Sequence, residues 1–213
     1  HRVLILPQLA GPGVAAHRVR KLSGFEVVYG PIQAKDLAAF LDAGLKATPE
    51  MRRKTFNTWD RAVLVPVELI EAMKAGVFIL PIFFFAGGLG GPGSYWMKAW
   101  NHGLFAVAAL LGAILVGAVL TPIFLPLLPG RAFSLKGLCL GMIAAGILVT
   151  LRRGDFATPS GRFEILGWLF LVPAIAAYLA MNFTGCSTYT SLSGVKKEMR
   201  FALPLEIAAG GVG

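Results

Sequence analysis

A chain of 213 residues that is 56% hydrophobic and 15% charged, with a mean hydropathy of +0.69, is too apolar for an ordinary soluble domain, where charged residues make up about 25%. The formal net charge of +9 and pI of 9.9 fit a nucleic-acid binder only superficially. The basic residues flank apolar runs instead of gathering on one face, a pattern that speaks for membrane anchoring and against nucleic acid.

The polarity is uneven. Residues 1–74 hold 11 of the 20 Lys and Arg and 7 of the 11 Asp and Glu. We therefore read 1–74 as a soluble α/β head and 75–213 as a transmembrane helical domain. The two cysteines, Cys139 and Cys186, lack CxxC spacing, so they define neither a metal cage nor a disulfide framework, and no Fe–S cluster is expected in this chain. No signal peptide is read at the start, because the first residues already form a strand–helix–strand unit.

Val3–Leu6 is a short apolar run suited to a buried strand, and Pro7 ends it for want of an N–H. Gln8–Gly13 is a loop with two glycines and a proline. From Val14, apolar positions 14, 15, 19 and 22 alternate with His17, Arg18, Arg20 and Lys21 as one helix face, and Ser23-Gly24 closes that helix. Phe25–Tyr29 is a second strand, turned out by Gly30-Pro31. Such a unit is a right-handed βαβ crossover, whose ligands sit at the carboxyl ends of the strands: Gln8–Gly13 and Gly30–Ala34. A helix is expected over Ala34–Leu45 and a helix start at Thr48-Pro49-Glu50. A third strand is expected at Ala62–Val65, and then a helix from Val67 that runs into the membrane.

A span needs about 20 apolar residues to cross about 30 Å. At 1.5 Å per residue, Ala75–Gly91 covers about 25 Å and Gly103–Leu128 about 39 Å, so the latter must tilt or break at Pro122 and Pro126. Leu138–Leu151 needs Ala132–Leu135 and a snorkelling Lys136. Ile165–Phe183 fits unaided, and Phe201–Gly213 is a fifth, partial span. Gly87, Gly88, Gly90, Gly91 and Gly93 read as a flexible turn. With the head in the cytoplasm, the Arg131/Lys136 and Lys196/Lys197/Arg200 connections fall inside, which obeys the positive-inside rule. Arg152, Arg153 and Arg162 then fall outside, against it. Glu206 is costly in lipid and is expected to face the bundle.

The runs LPQLAGPGVAAHRVRKLSGFEVVYGP and KATPEMRRKTF, followed by the spans, resemble the membrane-bound corrinoid protein of microbial mercury methylation. The spacing of Ser23-Gly24-Phe25 and Val28-Tyr29-Gly30-Pro31 is similar, more distantly, to the corrinoid domain of the corrinoid iron–sulfur protein of the acetyl-CoA pathway. The family's most specific motif is a cap-helix Asn-Val/Ile-Trp-Cys-Ala-Ala/Gly-Gly-Lys stretch whose cysteine faces the cobalt. It lies upstream of the stretch matching His1 and is not among these residues, so the chain is expected to be a fragment.

The resemblance implies a partial Rossmann-like, corrinoid-binding head followed by about five spans in the cytoplasmic membrane. It implies a cobalamin-type cofactor held by Pro7, Gln8, Leu9, Ala10, Gly11, Gly13 and Val14 on one loop. Tyr29, Gly30, Pro31 and Ile32 hold it on the other. A macrocycle needs a close, side-chain-poor backbone, which glycine permits; GxGxxG is not present, so this is no dinucleotide fingerprint. Tyr29 either packs on the ligand or belongs to the core, and His17 reads as solvated. Catalytic residues are not identified, since the thiolate that ligates cobalt would come from the cap helix.

The implied reaction is methyl transfer from cobalt to inorganic Hg(II), the substrate. The implied partner is a ferredoxin-like protein with two [4Fe–4S] clusters that reduces the cobalt. Cys186, in the hydroxyl-rich stretch Asn182–Val195, is a weak candidate for meeting Hg(II), because soft thiolates suit soft metals; the alternative is a small packing residue. Two rival functions stay open: a membrane-tethered methyl carrier of acetyl-CoA-type metabolism, and a non-enzymatic membrane anchor.

Overall fold

A computed structural model describes residues 2–54, 56–89, 92–183 and 192–212, with only the backbone of Leu192 and Ser193. The chain divides into two compact units, His1–Phe56 and Asn57–Gly213, so residues 57–74 are continuous with the helical unit.

In the first unit β1 (Val3–Pro7) and β2 (Glu26–Gly30) pair in parallel, in register from Val3↔Glu26 to Pro7↔Gly30. Helix α1 (Ala16–Ser23) joins them, and Gly24 closes it in the left-handed conformation at φ 74°, where glycine carries no Cβ penalty. The sheet has only these two strands among the described residues, and Val3, Leu4 and Ile5 stay exposed. A complete Rossmann-like layer is therefore not what residues 2–56 form.

The helix expected over Ala34–Leu45 is shorter. A 3-10 turn at Ala34–Asp36 leads into α2 (Leu37–Asp42), and left-handed Gly44 and Leu45 end it. Phe40 of α2 is fully buried. The helix expected from Pro49 is a turn instead, with Arg52 N–H donating to Pro49 O at 3.3 Å and Arg53 N–H to Glu50 O at 3.1 Å. So few bonds do not offset helix nucleation. This turn accepts Ile32 N–H at Met51 O, 3.0 Å, and so braces the exit from β2.

The second unit holds α3 (Thr58–Ala62), α4 (Val65–Ala86), α5 (Tyr95–Phe124), α6 (Phe133–Leu151), α7 (Pro159–Asn182) and α8 (Leu192–Val212). The third strand expected at Ala62–Val65 is absent: the chain is helical on both sides of a turn. Asn57 Oδ1 accepts Asp60 N–H at 2.9 Å while Asp60 Oδ2 accepts Asn57 N–H at 3.2 Å, a reciprocal cap that starts a helix. A four-residue apolar run cannot by periodicity distinguish strand from helix.

Among the described residues four helices are long and apolar enough to cross a membrane: Thr58–Ala86, Tyr95–Phe124, Phe133–Leu151 and Pro159–Asn182. The partial fifth span expected at Phe201–Gly213 lies in the second half of α8, whose first half carries Lys196, Lys197, Glu198 and Arg200, and is too short to be counted with these four. Helix α5 starts well before the expected Gly103 and passes Pro122, widening into π-helical turns at Ala99–Gly103 and Leu115–Leu120. Lys136 reaches the carbonyl end of α5, donating to Leu125 O at 2.6 Å.

Small residues set the packing. Gly137 and Gly141 on α6 form a GxxxG face. A Cβ on Gly137 would lie 2.5 Å from Ala176 O, and one on Gly141 2.7 Å from Pro173 Cα, both on α7. Gly87 and Gly103 meet backbone to backbone between α4 and α5, and a Cβ on Gly88 would lie 2.5 Å from the Tyr95 ring. These two glycines of the expected flexible turn are thus close-packing residues. Ala109, Ala113, Trp168 and Val172 form the centre of the bundle.

The basic connection after α6 is paired. Arg152 donates to Asn101 Oδ1 at 2.8 Å, to Asp155 Oδ2 at 3.0 Å and to Asn101 O. Its guanidinium also lies 4.4 Å over the Phe105 ring. Arg162 Nε donates to Phe156 O at 2.8 Å, and His102 Nδ1 lies 2.7 Å from Glu164 Oε2. Arg152 thus ties the start of this connection to α5, so its charge has a local structural use.

Candidate functional site

The parallel register sets Pro7 beside Gly30, so the two loops predicted to bind a ligand leave the same edge of the sheet. Gln8–Ala10 coils into a 3-10 turn. Gly11 N–H donates to Gln8 O at 3.2 Å, and Gly13 and Val14 N–H donate to Ala10 O at 3.0 and 2.9 Å. The loop is held by its own backbone, and these N–H groups are not the free cradle of a phosphate loop.

Tyr29 OH donates to Val14 O. That bond ties β2 to the start of α1 and assigns Tyr29 a bracing role. Gly30 and Pro31 are buried. A Cβ on Gly30 would lie 3.2 Å from Ile5 Cγ2 and 3.3 Å from the Phe40 ring. Gly30 is therefore glycine for packing, and Pro31 lies beneath the surface, with Ile32 half-buried behind them.

The exposed part of the loop is Leu9, Gly11, Pro12 and Gly13. Neither Gly11 nor Gly13 has a positive φ, so backbone conformation does not require glycine at either. A Cβ on Gly13 would meet only Ala10 O at 3.8 Å. What these glycines provide is a flat surface free of side chains. Beside them Gln8 Oε1 is shielded from solvent and has no hydrogen-bond partner. A buried acceptor left unpaired costs about 1–3 kcal/mol, which a ligand N–H would recover once the side chain turns outward.

Next to the loop lies an open concavity of about 390 Å³, lined by Gly13, Val14, Ala15, Arg18, Val19 and Leu22. The last four were not singled out in the sequence. The signal was present, because positions 15, 18, 19 and 22 share one face of α1 at helical spacing. The volume is at the low end for small-molecule pockets, so a macrocycle with a nucleotide tail would extend well beyond it. A corrinoid rim bristles with amide groups. The orphan Gln8 acceptor, the bare Gly11–Gly13 surface and the apolar Leu9 and Leu22 fit such a rim in chemistry.

His17 is exposed. Cys186 lies outside the described residues, and Cys139 is half-buried in α6 with a free thiol. In the helical unit, the carboxylate oxygens of Glu206 are shielded and unpartnered. No family model, no curated protein and no solved structure matches the chain.

Proposed function

We propose that this chain supplies part of the cofactor surface and the membrane-embedded helices of a corrinoid-dependent methyltransferase acting on inorganic Hg(II). One observation carries the reading: the shielded, unpartnered Gln8 Oε1, set at the carboxyl edge of a parallel βαβ unit beside the exposed glycines Gly11 and Gly13. Ligands gather at that edge in parallel sheets, and an acceptor without a donor is what an amide-rimmed ligand satisfies. The corrinoid, when bound, supplies a cobalt-held methyl group for transfer to Hg(II). The protein's part is binding and orientation. Gly11 and Gly13 keep the approach open, Gln8 accepts a rim N–H, Tyr29 holds the loop in place, and Leu9 and Leu22 give apolar cover.

In this reading the head lies in the cytoplasm at the inner membrane. A ferredoxin-like protein with two [4Fe–4S] clusters delivers the electrons, since they must come from outside this chain.

The test uses the full-length protein purified with its cofactor. Gln8→Leu removes an unsatisfied buried acceptor, so thermal stability of the cofactor-free protein is expected to hold or rise while cobalt content falls. Gly13 is exposed and accepts a Cβ without a close contact, so Gly13→Leu is expected to fold normally but to lose cobalt by obstruction. Wild-type cobalt content in both variants would overturn the assignment.

A further inference from the structure

Helix α8 carries a second recognition surface, unrelated to the cofactor loop. Lys196, Lys197, Arg200 and Phe201 line an open concavity of about 570 Å³. All three cations are exposed, and among the described residues none of them has a carboxylate partner. Positions 196 and 200, and 197 and 201, are one helical turn apart and stack on the same side. The single acidic residue in this segment is turned away: Glu198 Oε1 accepts Ser134 N–H at 2.7 Å, which caps the start of α6 and takes its charge to the bundle side.

Below the cations the surface becomes apolar. Phe201, Leu205, Ile207 and Val212 are 64%, 71%, 67% and 71% exposed. Lys197, Phe201 and Leu205 are successive i, i+4 positions, so the apolar side chains continue the stack that carries Lys197. A positive, open mouth of about 570 Å³ above exposed apolar side chains matches an amphiphile with a negative head.

We propose that Lys196, Lys197 and Arg200 bind the phosphate of an anionic phospholipid whose acyl chains lie along Phe201 and Leu205. The inference rests on the membrane-crossing character of the neighbouring helices and is independent of the cofactor reading.

The experiment is native mass spectrometry of the full chain, delipidated in mild detergent and titrated with phosphatidylglycerol or phosphatidylcholine. Near a membrane surface each Lys or Arg contributes about fivefold to anionic-lipid affinity. The wild type is therefore expected to retain phosphatidylglycerol at least tenfold better than phosphatidylcholine. Lys196→Gln/Lys197→Gln/Arg200→Gln is expected to bring the two within about twofold, and Lys196→Arg/Lys197→Arg to keep the preference, which guards against a folding artefact. Equal retention of both lipids by the wild type would overturn the proposal, as would an unchanged preference in the triple variant. Displacement of phosphatidylglycerol by an equal concentration of inorganic phosphate would overturn it too, in favour of a soluble-anion site.

Discussion

Replacing Gly137 by alanine puts a methyl group where the α6–α7 seam has no room. The new Cβ would stand 2.5 Å from Ala176 O and 2.6 Å from Ala180 Cβ, and the equivalent atom on Gly141 would stand 2.7 Å from Pro173 Cα. The nearest neighbours are backbone, so relief comes only by moving the helices apart. Overpacking of this kind costs about 1–3 kcal/mol, and separation forfeits dispersion contacts along the seam. Alanine returns about 1 kcal/mol of helix propensity relative to glycine, leaving a net loss of about 0–2 kcal/mol for Gly137→Ala or Gly141→Ala. Gly146 on the same helix has nothing within 4 Å of its Cβ position, so Gly146→Ala is expected to be neutral or stabilising by up to about 1 kcal/mol. The assay is unfolding by added SDS in mild detergent micelles, followed by circular dichroism. Midpoints for Gly137→Ala and Gly141→Ala at or above that of Gly146→Ala would refute the close-packed seam.

Two further outcomes follow from the contacts. Arg152→Gln removes charge-assisted bonds to Asn101 and Asp155, each of a kind worth about 1.5–3 kcal/mol, and lowers the unfolding midpoint. In a double-mutant cycle with Asn101→Ala the losses are expected to be non-additive, and simple additivity would contradict the observed pairing. Tyr29→Phe loses one hydrogen bond of about 0.5–1.5 kcal/mol and frees the start of α1. Limited proteolysis at Gln8–Ala15 is expected to accelerate, and an unchanged cleavage rate would mean that Tyr29 does not hold the loop.

Much of this architecture was legible in the residues. Pro7 and Gly24 mark the end of β1 and of α1 because each has a backbone property that no other residue supplies as well. The four apolar helices announce themselves by length, since lipid tolerates no unsatisfied backbone. Local signals misled where they were short. Thr48-Pro49-Glu50 has the residues of a helix start but no helix to propagate, and Ala62–Val65 reads equally as strand or helix until the Asn57–Asp60 cap decides it.

The roles of glycine were the least legible. Gly87, Gly137 and Gly141 are defined by what stands opposite them, on another helix. The same holds for Arg152, whose charge suggests topology while its partners at Asn101 and Phe105 make it a fastener. In the candidate site the loops were visible, but the division of labour was not. Burial turns Gly30 and Pro31 into packing residues, and the helix face at Ala15, Arg18, Val19 and Leu22 enters from outside the two predicted loops.

The most direct test of the account is the cobalt content and visible spectrum of the purified full-length protein, recorded before and after addition of Hg(II) with methylmercury measured in parallel. The account predicts bound corrinoid, with a methyl–cobalt spectrum that bleaches as methylmercury forms in matching amount. Corrinoid that ignores Hg(II) would leave a methyl carrier, and protein that holds no corrinoid at all would contradict the central claim.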